Sequence, residues 1–238
     1  MTNSQILKFV SLFFLAITNA FCQEIKQGVQ ALEGANIYFE YRFHPNGDTL
    51  PTLVLEAGAL SHSSYWDPVI DSLSRSANVL RYDRSGLGNS QFPLDSQRTV
   101  DKVSNELFQL MKALEINQKV ILICHSAGGF YGQYFAYQHP ECLNALVLIE
   151  TPCNTWENQL RSKLSPQQNQ SRDSVRAANL SRYSMMQRQE YLSAEKNRAL
   201  LSTIDQIPIP IVVIYGTNHN WPADYPAEQL EREWKDCQ

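Results

Sequence analysis

The segment Val120-Ile121-Leu122-Ile123-Cys124-His125-Ser126-Ala127-Gly128-Gly129 constrains this chain more than any other. Four apolar residues of the buried-strand type run straight into His-Ser-Ala-Gly-Gly, and a helical pattern starts directly behind them. Such a reversal holds one residue on a sharp, strained turn, so the positions two before and two after it must be small. Gly128 fills the second of these positions, and Cys124 stands where the first glycine is usual. Cysteine is small enough for the turn, at the cost of a tighter site. An ordinary strand-to-helix turn does not need small residues on both sides. The pattern therefore singles out Ser126 as an exposed nucleophile. The following helix aims its N-terminus at this serine, which makes the Ala127 N–H a candidate oxyanion donor.

Strand-like and helix-like segments alternate from residue 34 onward. Strands are expected over 37–43, 52–55, 78–82, 120–123, 145–149 and 211–215, most of them continuously apolar. Helices are expected over 65–74, 100–114, 128–137 and 227–234; Val100, Val103, Leu107, Leu110, Met111 and Leu114 recur at spacings of three and four. Thr99 stands at the N-cap position of that helix. This alternation predicts an α/β fold, a mainly parallel sheet covered by helices on both faces, in one domain over residues 23–238. Residues 153–207 break the rhythm. They are rich in Asn, Gln, Ser and Arg and are expected to form a helical lid above the C-terminal ends of the strands. Arg172, Arg176, Arg182, Arg188 and Arg198 fit either a solvated lid face or contacts to an anionic substrate.

The chain has 238 residues, 43% of them hydrophobic and 18% charged, with a net charge of −4. That balance excludes a disordered chain and argues for neither a nucleic-acid nor an anionic-membrane partner. Residues 1–22 stand apart. A single Lys8 precedes a short apolar run, and small residues follow, which predicts a signal peptide cleaved after Ala20 or Cys22 and a chain exported to the periplasm or the extracellular space. The run is too short for a stable membrane span. Export permits disulfides. The spacing of Cys124, Cys142, Cys153 and Cys237 matches no metal pattern and predicts mostly free, buried thiols, with a Cys153–Cys237 bond as the alternative. No phosphate loop, dinucleotide fingerprint or metal cluster is present in the sequence, so no cofactor is expected. Oligomeric state is not legible.

Two further motifs give the turn its context. Leu53-Val54-Leu55-Glu56-Ala57-Gly58-Ala59 precedes Tyr65-Trp66, and Tyr82-Asp83-Arg84-Ser85-Gly86-Leu87-Gly88-Asn89-Ser90 follows the next strand. With Ser126 these resemble the α/β-hydrolase fold family, in its lipase, esterase and epoxide-hydrolase-like branch. The resemblance runs from about Gly34 to the C-terminus. It implies that Gly58 allows close backbone approach, that the Ala59 N–H is the second oxyanion donor, and that Asp83 and Arg84 brace a loop. Gly58 and His125 are the expected substrate-side neighbours. The family order is Ser, acid, His. Glu150, which closes the strand ending at Ile149, is favoured as the acid over Asp224. The resemblance also implies a last strand carrying the histidine base. This chain ends at Cys237-Gln238 after one helix, so its histidine is expected to be missing and the chain to be truncated, with His219 as the substitute nearest the active edge. The expected activity is hydrolysis of an ester, thioester or related acyl bond in a small molecule. The alternative is a catalytically impaired relative that binds a small apolar ligand.

Overall fold

The computed structural model describes residues 23–91, 97–216, 219, 221–223 and 225–237, with the backbone alone at 48, 186, 233 and 237. The expected signal peptide and Asp224 lie outside the described residues. The strands are β1 (Glu24–Leu32), β2 (Ala35–Phe43), β3 (Thr52–Glu56), β4 (Asn78–Tyr82), β5 (Val120–His125), β6 (Leu143–Ile149) and β7 (Ile211–Ile214). The helices are α1 (Asp67–Leu73), α2 (Val100–Ala113), α3 (Gly128–Gln138), α4 (Trp156–Lys163), α5 (Pro166–Arg182), α6 (Met185–Leu192), α7 (Ala194–Leu201) and α8 (Ala227–Cys237).

One seven-stranded sheet has the order β1-β2-β4-β3-β5-β6-β7. The first two strands are antiparallel to their neighbours, and β4, β3, β5, β6 and β7 run parallel. The parallel strands are apolar because both faces are covered. On one face Val54, Leu80, Leu122 and Leu146 pack with Leu107, Leu110 and Met111 of α2 and Phe135 of α3. On the other, Leu53, Leu55 and Val79 pack with Trp66 and Ile70. The helix expected over 65–74 is a 3-10 turn, Ser63–Trp66, that becomes α1 at Asp67.

Strand β1 was not expected. Its sequence, EIKQGVQAL, buries no residue fully, so it carries no clear two-residue alternation. It is held by its hairpin with β2, whose turn places Gly34 at φ +77°. The insertion between β6 and β7 consists of four helices, α4 to α7. Two of them, α5 and α6, begin with capping boxes, Ser165 with Gln168 and Ser184 with Gln187. At the far edge, β7 leaves Ile211, Val212 and Ile214 exposed. No described helix is long and apolar enough to cross a membrane.

Candidate active site

The C-terminal ends of β3, β4, β5, β6 and β7 converge on one edge of the sheet, where crevices form in parallel α/β folds. Ser126 follows β5 at φ +50°. A non-glycine residue in this left-handed region stores about 1–2 kcal/mol of steric strain. The turn is held by its surroundings: Ser126 N–H donates to the Ile149 carbonyl at 2.8 Å, and Gly129 N–H donates to the Ser126 carbonyl at 2.9 Å. A β-carbon on Gly128 would lie 2.4 Å from the Ala57 carbonyl oxygen, so only glycine lets α3 start this close to the end of β3. Cys124 is fully buried, and its sulfur lies where a β-carbon on Gly132 would fall, at 2.3 Å. Gly132, one helical turn into α3, thus provides the volume that cysteine takes in place of a smaller residue. The hydroxyl of Ser126 has no hydrogen-bond partner among the described residues.

Opposite the turn lies the loop after β3. Arg84 is fully buried and grips this loop with its whole guanidinium. It donates to the carbonyls of Ala57 at 2.7 Å and Gly58 at 2.8 Å, pairs with Glu56, and donates through Nε to Glu190 of α6 at 2.7 Å. The carbonyl of Gly58 and the N–H of Ala59 belong to one planar peptide and point in opposite directions. Arg84, by holding the first, aims the second. Glu190 also accepts from the Leu60 N–H at 2.7 Å, and Leu60 sits at φ +60°. Tyr82 donates its hydroxyl proton to Glu56, leaving this buried carboxylate fully partnered. Asp83 braces the adjacent turn by accepting from the N–H groups of Ser63 at 2.7 Å and Asn89 at 2.8 Å.

Glu150 follows β6, also at a positive φ, +51°. One of its oxygens accepts from the Gly216 N–H, and the other lies 3.1 Å from Nε2 of His219. Nδ1 of His219 lies 3.0 Å from Glu231 of α8, which also accepts from the indole N–H of Trp221. Partial burial pulls the His219 imidazole down, but hydrogen bonds to Glu150 and Glu231 outweigh it, and its pKa lies above the ordinary 6.5. Both ring nitrogens face carboxylates, an arrangement that favours the imidazolium form.

A cavity of about 660 Å³ lies between this edge and helices α4 to α7, and Ala59 and Ala127 both line it. The other expected neighbours sit differently. His125 stacks on Tyr65 at 4.6 Å and shares a hydrogen bond with the Tyr65 hydroxyl at 3.1 Å; burial holds its pKa below 6.5. Gly58 packs against His125 and Ser126. The structure thus joins Ser126, Gly58, Ala59, Ala127 and His125 in one cluster, and joins Glu150 with His219 in another. The sequence did not single out Glu190 or Glu231; each lies on an unremarkable polar helix, and only the fold brings them in. The expectation of mostly free, buried thiols is corrected at Cys153, which is disulfide-bonded, and at Cys142, which is free but only half-buried; Cys124 is free and buried. Among the described residues no cluster of His, Cys, Asp or Glu could hold a metal ion.

Strained serine, facing backbone donors and parallel sheet together define the class. The family model for the alpha/beta hydrolase fold matches residues 51–179, and the chain belongs to that family. A Yersinia enterocolitica protein named carbamate hydrolase RutD is 31% identical over 120 residues, covering 50% of this chain and 41% of the relative. A proline iminopeptidase of Saccharolobus solfataricus is 29% identical over 140 residues, covering 58% of this chain and 44% of the relative. The match therefore spans less than half the length of either relative. A solved hydrolase structure from Pseudomonas aeruginosa superposes with a TM-score of 0.57 at 21% identity, covering 88% of this chain and 86% of the other, a likeness of fold.

Proposed function

We propose that this chain is a serine hydrolase acting on an ester, thioester or related acyl bond. The observation that carries the reading is Ser126, held at φ +50°, its hydroxyl without a hydrogen-bond partner among the described residues, next to Ala127 and packed near Gly58, with Ala59 and Ala127 lining one cavity. In this reading Ser126 Oγ attacks the acyl carbon, and the developing oxyanion is held by Ala59 and Ala127 N–H groups. Collapse of the intermediate breaks the bond to the leaving group, which departs with the proton lost by the serine hydroxyl; water then attacks the acyl-serine, releasing the carboxylic acid and returning a proton to Oγ. The names of the relatives, a carbamate hydrolase and an iminopeptidase, support bond cleavage by this fold without specifying the bond. Helices α4 to α7 serve as a lid over the cavity, and residues 1–22 direct export. Glu150 is the candidate acid.

One observation favours a second reading, a family member that binds a small molecule without turning it over. His219 has both ring nitrogens engaged by Glu150 and Glu231, and no hydrogen bond joins the Ser126 hydroxyl to a described histidine. Labelling with a fluorophosphonate separates the two. Prompt labelling of the wild-type chain that Ser126→Ala abolishes is the expected result. A cooperatively folded chain that stays unlabelled after hours would sink the hydrolase reading in favour of binding alone.

A further inference from the structure

The helical insertion supplies many arginines, and their partners divide them sharply. Arg182 is exposed and away from the cavity. Arg188 donates to the backbone carbonyls of Tyr183 and Ser181, both at 3.0 Å. Arg161, on the cavity wall, is held by Glu157 at 2.8 Å and by Asp173, and Arg172 is held by Glu157 at 3.1 Å. The third carboxylate on the wall, Glu190, is consumed by Arg84 and the Leu60 N–H. Every described acid of the cavity is therefore committed. Two cations remain. Arg176 lies over the Tyr191 ring at 5.4 Å, and Arg198, half-buried on α7, is hydrogen-bonded at its backbone carbonyl, by the Asn154 amide and the Ser202 N–H. Neither guanidinium makes a direct ion pair among the described residues, although Arg176 lies near enough to Asp173 to help hold its carboxyl below the usual value, behind the hydrogen bond from Arg161.

From this we infer that the cavity takes an acyl substrate carrying a second, anionic group, a carboxylate, with Arg176 and Arg198 as its counter-charges; the inference rests on the hydrolase reading for the acyl part alone. A guanidinium presents its N–H donors in a fixed fork that matches a carboxylate, and it is always charged. The cavity lining carries four arginines, Arg161, Arg172, Arg176 and Arg198, against three carboxylates, Glu157, Asp173 and Glu190, and this positive excess is one that a neutral substrate does not use. Stacking on Tyr191 fixes the plane of Arg176 while its edge donors stay free. Ala59 and Ala127, together with Phe130, line the same cavity, so in this inference the ester lies against the two alanines while the anionic group faces the arginines of the helices. A volume of about 660 Å³ admits a short dicarboxylic acid monoester.

The test measures binding rather than turnover. The full chain carrying Ser126→Ala is titrated calorimetrically with monomethyl adipate and, separately, with dimethyl adipate, which has the same chain and no charge. The monoester is expected to bind about tenfold more tightly, as one charge-assisted hydrogen bond would give. Adding Arg176→Gln and Arg198→Gln is expected to erase that preference, and raising salt to shrink it. Equal binding of the two compounds, or no binding of either at millimolar concentration, would overturn the inference without any need of the double variant. A preference that the folded double variant keeps would overturn it too. Fluorophosphonate labelling reports on the nucleophile independently. An unlabelled protein that still prefers the monoanion would lose the hydrolase reading and keep this one, and a labelled protein with no preference would do the reverse.

Discussion

At the scale of single residues, strain and burial mark the site. Ser126 and Glu150 both sit in the left-handed region, and each closes a parallel strand that ends at the same edge. Arg84 does more than brace a turn, because four acceptors on three elements meet one guanidinium. Lysine keeps the charge but has no fork. Arg84→Lys is expected to loosen the Gly58–Ala59 peptide and slow fluorophosphonate labelling about 10- to 100-fold, the cost of a misplaced catalytic group. Arg84→Met would leave Glu56 and Glu190 buried without a counter-charge, and urea unfolding should then show a loss of about 3–5 kcal/mol. His219 makes a pH prediction. Its pKa is raised in the fold above 6.5, so its stabilisation is complete below that value and is lost as pH rises through the folded pKa. Glu231 is lowered from 4.5: burial, which would raise it, is outweighed by hydrogen bonds from His219 and Trp221, so its contribution fades in the opposite direction, as pH falls below 4.5. The melting temperature should therefore be highest between these limits and decline on the alkaline side. His219→Gln should flatten the alkaline decline.

At the scale of elements, the insertion does structural work beyond covering a cavity. Thr99 stands at the N-cap of α2 as expected, yet its hydroxyl makes no cap bond and is buried without a partner. The first N–H of α2, at Val100, donates instead to Asn197 of α7 at 2.8 Å, and the Asn197 amide returns to the Arg98 carbonyl at 3.2 Å. Asn197→Ala leaves both backbone groups unpaired, and we expect a loss of about 1–3 kcal/mol by denaturant unfolding, where a surface asparagine would cost almost nothing. The tight start of α3 follows a different rule. It is dictated by the local sequence, since Gly128 and Gly132 admit Ala57 and Cys124 where any side chain would collide.

At the scale of the whole molecule, the sheet is well covered in the middle and bare at one side. The β7 edge exposes Ile211, Val212 and Ile214, with Tyr215 beside them. Exposed apolar edges pair with other chains. Ile214→Lys is expected to lower self-association in light scattering at high protein concentration while leaving the Ser126 turn intact. The insertion is joined to the rest of the fold by buried links, among them Glu190 to Arg84 and Leu60, Asn197 to α2, and Leu201 packed with Val100, Val103 and Tyr131. These links tie the cavity wall to the strand ends that carry the serine.

Much of this was written in the sequence. The alternation of apolar strands and amphipathic helices determined an α/β sheet, because buried parallel strands admit little besides Val, Leu and Ile. The run from Val120 to Gly129 determined the strained turn, because its requirement for small neighbours is met within ten consecutive residues. The place of Glu150 was legible as a charge closing an apolar strand, at a position where the family resemblance leads one to look for an acid. Strand β1 was not, because it buries too little to leave a pattern. The partners of Arg84, the bridging of His219 by Glu150 and Glu231, and the cap on α2 were decided only by tertiary structure. They join residues 106, 69, 12 and 97 positions apart. A buried ion pair or a borrowed cap depends on where two surfaces meet, and neither surface carries that information in its own periodicity.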